Sequence, residues 1–378
     1  MPSNAHTHAS AAVTDVELRN RCTRWLSGHR PLRSMRDSLL ALADLPEAAQ
    51  PLDVYGQGRA IHALEARVAA LLGKPAARFM HKGVAAQLAA LQTWATRYGN
   101  GVVALHPQSH IAIDEAGAFE QLLQLRGMRV GYPDTPLNVS LLDACAPAGD
   151  VPGIVTVELP LRRGGYRLPE WSELRAISAW CRERGVPLHF DGARLWEAAA
   201  HYDRPLADIA ALADSVYVSF YKGLGGLAGC VLAGPEDFIA DTAPWQTRLA
   251  GNVYTLYPFV LSALQGLREQ LPRMPVYRAR AQALAVALVA AGPEWVVAPE
   301  VPQVNAFQLH LPVAPEALRE GLLAVARQQG FWLGARASAS QVLSGGAMVE
   351  VVVGNAADDW TDDQAVAAWQ AAVQAARA

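Results

Sequence analysis

The chain has 378 residues, 52% of them hydrophobic, with a formal net charge of -3; that length supports a large core and two domains, and the charge argues against any general affinity for nucleic acid or anionic membrane. No apolar run approaches the roughly 20 residues that span a bilayer, and the N-terminal MPSNAHTHASAAVTD lacks a basic patch followed by an apolar run, so a cytoplasmic protein acting on a small molecule is expected. Cys22, Cys145, Cys181 and Cys230 stand far apart without Cys-x-x-Cys spacing, which suggests neither a disulfide framework nor a zinc site.

In chain order, IHALEARVAALLG sets Ile61, Leu64, Val68, Leu71 and Leu72 at three- and four-residue spacing and ends at Gly73, which predicts an amphipathic helix closed by glycine. Strand-like GVVALH, a helix near Glu115 to Leu125, MRVGY, GIVTVEL, the helix PEWSELRAISAWCRERG, VPLHF and DSVYVSF follow. Such alternation predicts βαβ units and a mainly parallel sheet. LAGCVLAG adds a strand, and Pro258 to Leu271 begins a long helical region broken at Pro272 and Pro275. From about Trp295 the order becomes strand WVVAP, strand NAFQLHL, helix Pro315 to Gln329, a short strand, strand MVEVVV and helix Thr361 to Arg377, the pattern of a smaller α+β domain. The expected organisation is an N-terminal arm over 1–55, a large domain over 56–272 and a small domain over 273–378.

Ligands of open α/β sheets sit at the C-terminal ends of the strands. Asp191 directly follows a strand in VPLHFDGARLW, and 31 residues later Lys222 follows another in SVYVSFYKGLGGLAG. Such a pair suits pyridoxal phosphate: the amine holds the aldehyde as a Schiff base, and the carboxylate keeps the ring nitrogen protonated so that the ring can take up electrons from the substrate Cα. Gly223, Gly225, Gly226 and Gly229 would let the backbone pass close to that cofactor. Each residue also has a plain reading. Asp191 could cap a helix, Lys222 could be a solvated loop lysine, and the glycines, which form neither Gly-x-Gly-x-x-Gly nor a P-loop, could be a turn.

HFDGARLWEA, SFYKGLGGLAGCVLAG, DVYGQGRAIHALEARVAALLGK and SHIAIDEAGA resemble, in order, motifs of the threonine aldolases and related β-eliminating lyases, pyridoxal-phosphate enzymes of the aspartate-aminotransferase fold. The resemblance runs from about Met35 to Gly234 and is weaker through the C-terminal domain. It implies an α/β, fold type I architecture, with a mainly parallel sheet in the large domain and a smaller C-terminal α+β domain. It also implies pyridoxal 5′-phosphate bonded to Lys222, with Asp191 on the pyridine nitrogen and Arg194 near the ring hydroxyl and the substrate carboxylate. His110 would stack on the ring and take part in proton transfer. Gly83 and the N–H of Val84 in FMHKGVAAQ would hold the phosphate at a helix start, where backbone N–H groups are free. A homo-oligomer, at least a dimer, acting on an amino acid is implied as well.

Departures from the family pattern bear on the substrate. The phosphate loop reads Lys82-Gly83-Val84 in place of Ser-Gly-Thr, and VELPLRRGG keeps Glu158 but has Leu161 where the family has a histidine. The family's opening motif is absent, leaving Ser27 and His29 as stand-ins. Glu350 in AMVEVVVG falls where an arginine for the substrate carboxylate is expected, and a carboxylate does not pair with a carboxylate; either Arg336 or Arg248 supplies that cation or the substrate differs, with Arg194 then the main anchor. Expected is retro-aldol cleavage of a β-hydroxy-α-amino acid, with His110 or a water taking the β-hydroxyl proton. Leu161 is expected to favour larger, apolar side chains. A β-eliminating lyase, racemase or aminotransferase would use the same Lys222 and Asp191, and a cofactor-binding protein without turnover is the alternative from another class.

Overall fold

The computed structural model describes residues 15–32, 34–146 and 151–378; most of the N-terminal stretch discussed above lies outside the described residues. Seven strands build the main sheet: β1 (Ala76–Met80), β2 (Val102–Leu105), β3 (Arg126–Arg129), β4 (Ile154–Glu158), β5 (Leu188–Gly192), β6 (Ser215–Ser219) and β7 (Cys230–Gly234). They lie in the order β1-β7-β6-β5-β4-β2-β3. β7 runs antiparallel to both of its neighbours, and every other pairing is parallel. Strands covered on both faces read as near-continuous apolar runs, and β5 and β6 are buried at every position. β1, AARFM, is not anticipated by the sequence reading. Arg78 interrupts its apolar residues, and only pairing with β7 makes it the sheet's edge.

The helix Arg59–Leu72 closes at Gly73, whose φ of 59° lies in the left-handed region glycine favours. The helix Gly83–Tyr98 covers the sheet through Leu88, Leu91 and Trp94, and Trp94 stacks on Phe238 at 4.3 Å between ring centroids. The later helical region breaks at the 3-10 turn Leu271–Arg273, which holds Pro272. Pro275 does not break it. It enters the first turn of the helix Met274–Ala291, where a missing N–H leaves no helical bond unmade.

Residues 40–274 form one compact unit; the second joins the described residues up to Leu39 to Pro275–Ala378. The segment 1–55, read from sequence as one arm, is therefore divided. Arg24–Trp25 pairs in parallel with Phe331–Trp332. By contrast, Asp53, 4% exposed, accepts hydrogen bonds from the Thr255 hydroxyl and from the N–H groups of Leu256 and Tyr257. In the second unit, β8 (Val296–Ala298), β9 (Ala306–Leu311), β10 (Ser338–Ala339) and β11 (Ala347–Val352) form an antiparallel sheet in the order β10-β11-β9-β8. The helices Pro315–Gln329 and Asp362–Arg377 accompany it, the second opened by a Thr361–Gln364 capping box.

Candidate active site

Strand register sets Glu158, Asp191 and Tyr217 side by side on β4, β5 and β6, and such neighbours share a face of the sheet. Two residues back, a second row holds Thr156, His189 and Ser215. His189 Nδ1 lies 2.8 Å from Ser215 Oγ, its Nε2 lies 2.7 Å from Gln87 Oε1, and Trp94 Nε1–H donates to Ser215 Oγ at 2.8 Å. An amide oxygen only accepts, so His189 carries its proton on Nε2 and accepts from the Ser215 hydroxyl at Nδ1. Gln87 and Trp94 belong to the helix Gly83–Tyr98. The row therefore clasps that helix to the strand that carries Asp191.

Burial pushes the His189 pKa down to about 3. Between that value and the ordinary 6.5 the unfolded chain binds more protons than the folded one, so the stabilisation is complete above pH 6.5 and is lost as pH falls. His189→Gln removes this linkage. The stability advantage of wild type over His189→Gln, measured by chemical denaturation, is expected to shrink by about 1.4 kcal/mol per pH unit below pH 6.5. A constant difference would contradict a neutral, buried His189.

At the C-terminal ends of the parallel strands lies a cavity of about 140 Å³ lined by Lys222, Asp191, His110, Gly83, Val84 and Lys82, with Asp114, Glu115, Ala193, Tyr217 and Tyr221. Lys222 stands 5.7 Å from the Tyr221 ring centroid, and burial lowers its pKa against the opposing pull of Asp191. Asp191 is 2% exposed and accepts from the Ala193 N–H at 3.2 Å. It is not a helix cap, because Arg194 holds the N-cap position of Leu195–Tyr202. Lys222, half-buried, lines the same cavity.

His110 Nδ1 is 3.1 Å from Glu115 Oε1, and this hydrogen bond, against the effect of burial, raises the His110 pKa. The backbone N–H of His110 donates to Glu158 Oε2 at 2.7 Å, and that of Arg162 donates to Glu158 Oε1 at 3.1 Å. Desolvation first, and the Asp191 charge second, push Glu158 up to about 7. Glu115, Asp114, Tyr217 and Tyr221 received no role from the sequence. Asp114 and Glu115 stand four and five residues after His110 in SHIAIDEAGA, and Tyr221 directly precedes Lys222.

Two expectations are corrected. The glycines after Lys222 make room for protein and not for an open approach to the cavity: a Cβ on Gly223 would strike the Glu197 carboxylate, and one on Gly229 would strike the Phe79 ring. Leu161 is 2% exposed, faces Gly164 and is absent from the cavity lining, so the preference for large apolar side chains drawn from it has no basis. Arg194 also lies outside that lining; it pairs with the buried Glu197 at 3.1 Å and holds its guanidinium 5.3 Å from the Tyr166 ring centroid. Arg248 packs on Trp245 at 4.5 Å. Arg336, Glu350, Ser27 and His29 belong to the second unit.

The cavity fits pyridoxal phosphate in three respects. At the start of the helix Gly83–Tyr98 the first N–H groups have no intrahelical acceptor. There, a Cβ on Gly83 would run into the Tyr217 hydroxyl, so only glycine leaves the start open. Lys222 and Asp191 offer an amine for the aldehyde and a carboxylate for the ring nitrogen. Among the described residues no group of His, Cys, Asp and Glu side chains could hold a metal ion, and no helix is long and apolar enough to cross a membrane.

Residues 30–310 match the family described as beta-eliminating lyase. A solved structure from Exiguobacterium sp. 255-15, provisionally assigned as an aromatic amino acid β-eliminating lyase/threonine aldolase, is 33% identical, with a TM-score of 0.86 over 95% of this chain and 99% of that one. Another from Listeria monocytogenes, provisionally assigned as an L-allo-threonine aldolase, is 31% identical, with a TM-score of 0.87 over 95% of this chain and 98% of that one. The low specificity L-threonine aldolase of Escherichia coli K12 is 28% identical over 248 residues, 65% of this chain and 72% of that protein. With a matched span that covers most of the chain, an antiparallel β7 set into an otherwise parallel sheet, and a lysine and an aspartate at one cavity, the chain belongs to the β-eliminating lyase family of pyridoxal-phosphate enzymes with the fold type I architecture.

Proposed function

We propose that this chain is a lyase that cleaves the Cα–Cβ bond of a β-hydroxy-α-amino acid, giving glycine and an aldehyde. The observation that carries the reading is the meeting of Lys222, Asp191 and His110 at one cavity in a chain similar to threonine aldolases along most of its length. Bound pyridoxal phosphate supplies an electron sink for the pair released at Cα. Lys222 holds the cofactor's aldehyde carbon, and its depressed pKa favours the neutral amine that such bonding needs. Asp191, dry and fixed within β5, keeps a positive charge on the ring nitrogen. His110 would lie against the ring. Gly83, Val84 and Lys82 hold the phosphate, Lys82 contributing a cation where the family has a hydroxyl. Arg194, held by Glu197, binds the substrate carboxylate.

The decisive experiment supplies purified holoenzyme with threonine, allo-threonine, phenylserine, serine and alanine and follows aldehyde, keto acid and ammonia together. Aldehyde with equimolar glycine is expected. Ammonia with keto acid would instead mean β-elimination, and no product from any amino acid would leave a cofactor-binding protein without turnover.

Gly83→Ala tests the phosphate end. Its Cβ meets the Tyr217 hydroxyl, which Tyr221 holds by a hydrogen bond, and overpacking of this kind disturbs a site by about 1–3 kcal/mol. Cofactor affinity, read from absorbance titration of the apoprotein, is expected to fall roughly 10- to 100-fold; unchanged affinity would remove Gly83 from the phosphate contacts. Self-association, at least as a dimer, is supported by Leu52, Tyr254 and Tyr55 standing 68%, 64% and 55% exposed, and light scattering measures it.

A further inference from the structure

Glu197 stands in the first turn of the helix Leu195–Tyr202, its side chain 0% exposed. One oxygen, Oε1, pairs with Arg194 Nη1 at 3.1 Å. The other, Oε2, is buried with no hydrogen-bond partner among the described residues. A carboxylate held out of water is costly unless its oxygens are matched, so an open, buried Oε2 calls for a donor. Just before Glu197 in the chain, Trp196 Nε1–H donates to the Ser219 carbonyl at 2.8 Å, and the Ser219 hydroxyl donates to the Ala193 carbonyl at 2.6 Å. These two bonds fix the helix start to the end of β6, three residues before Lys222. Gly223, directly after Lys222, approaches the Glu197 carboxylate so closely that a Cβ there would strike it. The carboxylate therefore lies against the backbone that carries Lys222.

We propose that Glu197 is a positioning residue that docks the Lys222 amine whenever this lysine is not bonded to the cofactor, with Oε2 accepting from the ammonium. This rests on Lys222 as the cofactor lysine and not on which substrate bond is cleaved. An amino acid enters the site with an ammonium group and must lose one proton to bond through its nitrogen. The Lys222 amine set free at that stage takes up one proton, so the count is kept and a new cation appears in a dry site. Arg194 already holds Oε1, and Oε2 receives the second cation. The proton held there can then pass to the substrate Cα, which gains a C–H bond as Lys222 returns to the amine.

Desolvation raises the Glu197 pKa, while Arg194 and then Lys222 oppose that rise, so a cation drawn to Oε2 favours the charged form. Seen from Lys222, Asp191 on β5, Glu158 on β4 and Glu197 favour the ammonium, and burial and Arg194 oppose it; His110, Glu115, Asp114, Lys82, Tyr217 and Tyr221 line the same cavity. Removing the Glu197 charge therefore moves the Lys222 pKa further down.

Competitive acetylation of the apoprotein across pH, read at Lys222 by peptide mass spectrometry, measures that movement. Glu197→Gln is expected to shift the Lys222 titration to lower pH, and Glu197→Asp, which keeps the charge, to bring it back toward wild type. In the holoenzyme, exchange of the glycine α-proton in D2O needs Lys222 but no side-chain cleavage. Its kcat should fall about 10- to 100-fold in Glu197→Gln, part of what a positioned proton-transfer group contributes, and recover in part in Glu197→Asp. A raised glycine KM with kcat and the Lys222 titration unchanged would leave Glu197 as a support for Arg194 alone and overturn the proposal. Should Glu197→Gln fail to fold, the reciprocal measurement decides: in Lys222→Ala apoprotein the Glu197 carboxyl carbon, followed by NMR, should titrate at higher pH than in wild type, and an unmoved titration would overturn the dock. Borohydride labelling of a lysine other than Lys222 would overturn the cofactor assignment and the dock with it. A wild type that exchanges glycine but cleaves no β-hydroxy amino acid would overturn only the aldolase reading, and loss of that exchange in Glu197→Gln would still support the dock.

Discussion

Lys222→Ala is expected to retain the fold but to lose turnover by roughly 10²- to 10⁴-fold, the range associated with removing a positioned proton-transfer group, and to lose the covalent link to the cofactor as well. Lys222 follows β6 at the point where that strand leaves the sheet, in the same cavity as Asp191, and burial already lowers its pKa. Borohydride reduction of the wild-type holoenzyme, followed by digestion and mass mapping, should place the pyridoxyl group on Lys222. Recovery of the label on Lys82, the other lysine lining the cavity, would overturn the assignment. Added alkylamine should restore part of the activity of the alanine variant, which a merely misfolded protein would not allow.

The second large effect belongs to Asp191. Asp191→Asn is nearly isosteric in a fully packed strand, and the one hydrogen bond of its side chain among the described residues, from the Ala193 N–H, can pass to the asparagine oxygen. The fold and cofactor binding are therefore expected to survive. What would disappear is the carboxylate proposed as partner of the ring nitrogen, and removing one such fixed electrostatic partner lowers kcat by about 10²- to 10³-fold. Glu158 supplies an internal control, because its pKa is raised partly by Asp191 and should fall in the variant; titration of its carboxyl carbon by NMR reads this directly. Near wild-type turnover in Asp191→Asn would show that the ring nitrogen needs no charged partner in this enzyme.

Much of the molecule is legible in the order of its amino acids. The alternation of short apolar runs with amphipathic helices specifies a mainly parallel sheet, because strands covered on both faces have few positions where polar residues are tolerated. Lys222 and Asp191 stand out because chemistry at the ends of such strands is confined to the loops that leave them. Chain order alone does not dismiss their plain alternatives. For Asp191 the fold does, since it lies inside β5 while Arg194 takes the cap.

The sequence by itself determined the class of fold, through local periodicity, and the family, through motifs in order; it also singled out Lys222, Asp191 and His110, which the structure brings to one cavity. Tertiary structure alone decided what surrounds them. The edge strand β1 exists only through its pairing with β7, and the N-terminal segment divides because Trp25 and Asp53 find partners more than 200 residues away. Glycines that looked like an approach to the cofactor are spaces for Glu197 and Phe79. Leu161, which the resemblance set beside the substrate, is turned against Gly164, while Glu115 meets His110 Nδ1 at 3.1 Å and keeps its other oxygen buried without a partner. Spacing along a chain constrains which face a side chain takes, but desolvation and hydrogen bonding depend on atoms brought in from distant segments, and those are what give the carboxylates and imidazoles of this site their separate tasks.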